Sequence, residues 1–222
     1  MEGAGSRLVL IYGRLFDRFG PQGWWPAESE FEMCVGAILT QSTSWANVEK
    51  AVARLKEEGL LSVKAMGGCD GRRLSRLIRP TLYHNVKAGK LKSFAGHILE
   101  EHGGSLSSML AQPAGKLRAE LLGIWGIGPE TADSIILYAA RKPSFVVDAY
   151  TRRVFERVGF LGGGESYDAV KSFFEDNLAR SVRLYDEYHA LIVRLAKECC
   201  RKRPICGGCP IGSMCAFMGS CV

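Results

Sequence analysis

The stretch LLGIWGIGPETADSIILYAA, Leu121 to Ala140, decides how this chain is read. Glycines at 123, 126 and 128 interrupt an otherwise continuous apolar, helix-compatible run, and Pro129-Glu130 follows at once. Ala114 to Leu122 reads as one helix and Pro129 to Ala140 as the next, with Gly123 to Gly128 as a tight hairpin between them. Proline suits the first helical position, where its missing N–H costs nothing, and glycine permits the positive φ and close backbone approach of a short turn. Such a turn leaves the unpaired N–H groups of a helix start pointing outward, a ready site for a phosphate. The same glycines would also serve a plain packing turn between two core helices, and this stretch alone does not separate the two readings.

The rest of the chain is helical in pattern. Apolar residues recur at helical spacing, as in Leu8, Tyr12, Leu15, Phe16 and Phe19 and again in Val48, Val52 and Leu55, and no stretch keeps a period of two. The fold class expected is all-α, with roughly ten short helices. Ser29 with Glu32 forms a capping box before FEMCVGAIL, Asp70 can cap GRRLSRLI, and Gly59, Gly103 and Gly159 follow helical runs. With 222 residues, 47% of them hydrophobic, the chain can bury an ordinary globular core. Residues Met1 to Ser6 lack the basic-then-apolar pattern of a signal peptide, and no long uncharged apolar run occurs, so a soluble, intracellular protein is expected. The net charge of +6 suits a polyanionic partner but does not require one.

Phe145-Val146-Val147-Asp148-Ala149-Tyr150 runs into TRRVFERVG, placing Asp148 where an apolar run stops and a helix begins, the position of an N-cap. The combination L-x-G-I-x-G-I-G-x-E-T-A followed by V-D-A-Y resembles the helix-hairpin-helix DNA glycosylases of the endonuclease III superfamily. The C-terminal cysteines extend the resemblance over almost the whole chain. Cys199, Cys206, Cys209 and Cys215 form C-x6-C-x2-C-x5-C, the pattern of that superfamily's [4Fe–4S] loop, and four thiolates at short spacing are what such a cluster requires. Zinc is the chemical rival, although only Cys206-Cys209 forms a C-x2-C knuckle. Cys34 reads as a buried small hydrophobe and Cys221 as a loose terminal thiol. Arg201-Lys202-Arg203, between the first two ligands, would form a basic loop that grips DNA phosphates, or a solvated charge run.

The resemblance also implies chemistry. In bifunctional members a lysine two residues after the last hairpin glycine forms a Schiff base; Glu130 stands there, and a carboxylate cannot do so. The implied enzyme is monofunctional, breaking the base–sugar bond and leaving the strand intact. Glu130 itself is either a favourable first-turn acid or a contact to the flipped base. Asp148 matches the superfamily's catalytic aspartate, able to stabilise an oxocarbenium-like sugar and orient water. Gly20 to Ala51 looks like the 3-methyladenine glycosylase branch, whose pocket stacks a base between aromatics; Trp24, Trp25 and Trp45, with Pro26, are the candidates here. Each tryptophan could instead be a core residue. Gln41 matches the residue inserted into the gap in the duplex. Tyr83 and Lys87, in RPTLYHNVKAGKL, match a family block near the DNA, as do Gly126, Gly128 and Thr131 in the hairpin, while His84 departs from the family pattern.

A two-lobed glycosylase is expected, with a helical-barrel lobe over residues 31–140 and a second lobe over 1–30 and 141–222. Its partner would be double-stranded DNA containing a damaged base, held across the mouth between the lobes by a monomer that is cytoplasmic and nucleoid-associated, with no membrane contact. Alkylated purines such as 3-methyladenine and 7-methylguanine are the implied substrates. The rivals are mismatched adenine, against which the absence of an extra domain before Val222 is set, deaminated bases, an endonuclease III-like glycosylase/AP lyase, and a non-catalytic iron–sulfur DNA-binding module.

Overall fold

A computed structural model describes residues 3–218, so Cys221 lies outside the described residues. Among these residues there are twelve α-helices and no strand, as the 3.6-residue periodicity requires. They are α1 (Ala4–Phe19), α2 (Glu30–Leu39), α3 (Trp45–Glu57), α4 (Val63–Gly68), α5 (Gly71–Leu77), α6 (His84–His102), α7 (Leu106–Ala111), α8 (Ala114–Gly123), α9 (Pro129–Ser134), α10 (Ala149–Val158), α11 (Tyr167–Asn177) and α12 (Val182–Glu198). None of them is long and apolar enough to cross a membrane. The chain divides into two compact units, Trp25–Lys142 and Met1–Trp24 with Pro143–Val222.

In the unit 25–142, α2 is buried on almost every side, from Phe31 through Leu39, as expected of a helix apolar all round. It packs on α3, on α6 and on the segment after α9. Ser29 accepts the Glu32 amide at 3.1 Å, and Glu32 points its carboxylate at Lys56 (3.5 Å). Asp70 caps α5 through the Arg73 amide at 2.9 Å. The second hairpin helix does not stay α-helical to its end: Ile135–Ala139 form a π turn, fully buried, in which the Ala140 amide reaches back to the Ile135 carbonyl.

In the other unit, α12 carries the core, with α1 and α10 packed against it and α11 against α1. Leu8, Ile11 and Leu15 are the buried stripe of α1, and the Tyr188 hydroxyl of α12 donates to the Leu8 carbonyl at 2.9 Å. Phe145 and Phe174 stack at 4.1 Å between centroids, and Phe155 meets Phe174 edge-on at 4.7 Å. This aromatic cluster fixes the extended apolar run 145–147 that ends at Asp148. Gly159 closes α10 at φ +92°, where a side chain would be strained.

Candidate active site and cysteine loop

The hairpin is built from its glycines and an ion pair whose carboxylate is buried. Helix α8 stops at Gly123, Ile124 and Ile127 are buried anchors, and Gly128 is the extended N-cap of α9, with Pro129 in its first turn. Only Gly126 of the three glycines has a positive φ, +90°, and a Cβ there would collide with the Lys90 side chain. Arg118 on α8 clamps the buried Asp133 on α9 with Nε–Oδ1 at 3.0 Å and Nη2–Oδ2 at 3.2 Å. Both legs of the hairpin are thereby locked. Trp125, at its tip, is 59% exposed and lies over Gly89 of α6; helical periodicity does not single it out.

Gln41 is fastened to this hairpin. Its amide nitrogen donates to the Gly126 carbonyl (3.1 Å) and the Thr131 hydroxyl (3.0 Å), while its carbonyl oxygen accepts from Lys90 at 2.5 Å. Thr131 is consequently buried and engaged, not the surface DNA contact expected; Gly128 and Glu130 are the exposed positions at the start of α9. Lys87 also departs from expectation. It is 2% exposed, and its ammonium donates to the Leu39 carbonyl at the end of α2 (2.9 Å) and to the Thr81 carbonyl (2.5 Å). A cation at a helix C-terminus satisfies carbonyls the helix leaves open. Burial, followed by the neighbouring Lys90 charge, lowers its pKa to about 8. Lys90, which no motif in the sequence singles out, takes the position beside the hairpin.

Tyr83 is 70% exposed and left-handed at φ 45°, directly after Leu82, which is 55% exposed at φ 58°. Below them the Ser75 hydroxyl donates to Asn85 Oδ1 (2.6 Å) and so accepts from His84 Nδ1 (2.7 Å), which makes His84 a structural donor. The tryptophans do not form one parallel stack. Trp25 and Trp45 meet at 5.2 Å with their planes 89° apart, and Trp25 also leans on Tyr138 at 5.4 Å. They line a cavity with Pro26, Gly36 and Glu49, the Trp45 indole donating to Glu49 at 2.9 Å. Trp24 belongs to the other unit, where the Lys197 ammonium lies 5.9 Å from its ring.

Asp148 is the N-cap of α10. Its Oδ1 accepts the Thr151 amide at 2.7 Å and the Thr151 hydroxyl at 2.9 Å, while Oδ2 lies 3.5 Å from His189 Nε2 on α12. Burial pushes the carboxyl up, but the His189 imidazole and the Thr151 donors outweigh it and hold the group below the ordinary aspartate value. His189 is not recognisable in the sequence, because a lone histidine on an apolar helix carries no signal until its partner is known.

Cys199 caps α12, and Cys206, Cys209 and Cys215 follow on the loop, all four lining one cavity together with Cys200. Arg157 of α10 holds the loop's backbone, donating to the carbonyls of Arg201 (2.6 Å) and Lys202 (3.0 Å), and Arg153 donates to that of Cys200 (2.9 Å). Arg201, Lys202 and Arg203 are left exposed, with the Arg201 guanidinium turned back to the Lys197 carbonyl at 2.8 Å. Burial pushes the Cys209 thiol up to about 11 and raises Cys199 as well.

An all-α chain with a glycine hairpin clamped between two helices, and an ionised aspartate at a helix start beyond it, has the helix-hairpin-helix glycosylase fold. The sequence pattern of the HhH-GPD superfamily of base excision DNA repair proteins matches residues 35–180, and the chain belongs to that family. It is 48% identical over 209 residues to the Methanocaldococcus jannaschii protein named "Putative DNA repair glycosylase MJ1434", covering 94% of this chain and 95% of that one. It is 30% identical over 188 residues to endonuclease III of Sulfolobus acidocaldarius, covering 84% and 82%. The crystal structure of H. pylori 3-methyladenine DNA glycosylase (MagIII) bound to 1,N6-ethenoadenine superposes with a TM-score of 0.76 at 28% identity, covering 89% of this chain and 98% of that one. The chain is therefore a DNA N-glycosylase of base excision repair.

Proposed function

We propose that this glycosylase is monofunctional and acts on alkylated purines in double-stranded DNA. The observation that carries the reading is Asp148, a carboxylate held ionised at a helix start by Thr151 and His189, in a chain with glutamate in place of lysine at 130. The damaged nucleotide is drawn out of the duplex. As the C1′–N bond breaks, its electron pair leaves with the base, and Asp148 stabilises the developing sugar cation. A water oxygen then bonds to C1′ and its proton passes to Asp148 or to solvent. Alkylation at N3 or N7 makes the purine cationic, so it departs neutral without a strong general acid. Indole faces favour such a cation; the perpendicular Trp25 and Trp45 offer it a corner, beside Pro26, rather than two parallel walls. Gly126 and Gly128, with Arg201, Lys202 and Arg203, supply phosphate contacts that carry no sequence information, and Gln41, already pinned to the hairpin, and exposed Tyr83 face the opened duplex.

Cys199, Cys206, Cys209 and Cys215 fit a [4Fe–4S] cluster. They line one cavity. Four thiolates on one short loop match the ligand set of such a cluster, whereas only Cys206-Cys209 forms the C-x2-C knuckle common in zinc sites. When bound, the cluster supplies a fixed shape to the basic loop.

The test is a panel of lesion-bearing duplexes. Release of free 3-methyladenine or 7-methylguanine, with an intact abasic strand and no borohydride-trapped adduct, is the expected result. A trapped covalent complex would make the protein a bifunctional lyase, and release confined to mismatched adenine or deaminated bases would overturn the substrate assignment.

A further inference from the structure

Helices α6 and α8 meet at a polar cluster separate from the hairpin turn, the tryptophan-lined cavity and the cysteine loop. His97 Nε2 lies 2.7 Å and His102 Nε2 2.5 Å from the same oxygen, Oε1 of Glu120, and one ligand atom from each of the three residues falls within 4.8 Å of the others. The other carboxylate oxygen accepts from Gln112 Nε2 at 2.5 Å. We propose that His97, His102 and Glu120 bind one zinc-type divalent transition-metal ion, a site distinct from the cysteine loop and independent of the glycosylase reading.

Two imidazoles and a carboxylate are a donor set suited to zinc, with a fourth position left for water. Bonds of about 2.0–2.1 Å in a tetrahedral site hold ligand atoms roughly 3.3 Å apart, so each Nε2–Oε1 contact needs to open by less than about 1 Å. Without an ion both imidazoles converge on one carboxylate oxygen as hydrogen-bond partners, and the same convergence brings three ligand atoms to one point. The side chains are partly shielded, at 26%, 13% and 18% exposure. Gln112 stands where an orienting partner of a ligating carboxylate belongs. On binding, each imidazole must present a bare Nε2, so any proton there moves to Nδ1 or is released to solvent. The ion would tie the last turns of α6 to α8, the helix that leads into the hairpin.

The experiment is zinc K-edge absorption on the as-purified protein given one equivalent of Zn²⁺, paired with calorimetric titration. We expect a nitrogen and oxygen first shell near 2.0 Å, one bound equivalent lost in H97Q/H102Q, and affinity weakened about 10–100-fold in Gln112→Ala, which leaves the ligands in place. A first shell made of sulfur, or equal zinc uptake by the wild type and H97Q/H102Q, would overturn the site; the wild-type spectrum decides even where the double variant folds poorly.

Discussion

Asp148 is pulled two ways, upward by its burial and downward by His189 and Thr151, and the second effect wins. Because its native pKa lies below the unfolded value, the ionised form contributes stability above roughly pH 4, and that contribution is lost as pH falls through the lowered native value. In the proposed mechanism the same shift keeps the carboxylate charged on the acid side. Replacing the positioning residue in His189→Gln should move the acid limb of the kcat/KM profile toward higher pH and slow base release less than removing Asp148 itself. An unmoved acid limb would show that His189 only packs. Residues such as Asp148 and Gly126 are legible in the sequence because a cap and a left-handed turn are local needs. Lys87 and Thr131 are not: what buries them is a carbonyl at residue 39 and an amide at residue 41, partners more than forty residues away in sequence. The three tryptophans are visible as aromatic candidates, but their perpendicular setting and their division between two units depend on tertiary packing alone.

The hairpin depends on its clamp as much as on its glycines. Arg118→Ala would leave the Asp133 carboxylate buried without its bidentate partner, and breaking such a pair costs about 3–5 kcal/mol. Urea unfolding should show that loss, and DNA affinity should fall with it; a change below about 1 kcal/mol would mean that solvent or another group replaces the guanidinium. Gly126→Ala should be damaging for a different reason, since it meets both a positive φ and the Lys90 side chain. Helix starts with Ser or Asp caps are readable along the chain, as at Ser29 and Asp70. The roughly ten helices expected become twelve because six-residue pieces such as α4 and α7 are too short to display a period. The π turn at Ile135–Ala139 has no sequence signature, for its residues are as apolar as those of a continuous helix.

Each unit of the molecule has its own core, one around the enclosed helix α2 and one around the aromatic cluster on α12. The all-helical class follows from periodicity, whereas the alkylpurine reading rests on resemblance and on a few residues. With net charge +6 and an exposed basic loop, affinity for undamaged duplex should fall steeply with salt. If Arg201, Lys202 and Arg203 hold phosphates as proposed, alanine at each removes one such cation, and each change should lower the logarithmic salt slope by about one. A flat response would place DNA binding elsewhere. Purified protein should be brown, with iron and sulfide near four each per chain, and colourless, fully active zinc protein would contradict the cluster. The most direct measurement is single-turnover release of 3-methyladenine by Asp148→Asn, which keeps the capping oxygen for Thr151 but removes the charge. Release slowed by at least about a hundredfold, with lesion-DNA binding and folding retained, is the predicted result; an Asp148→Asn protein that releases base at the wild-type rate would reduce Asp148 to a helix cap and contradict the mechanism.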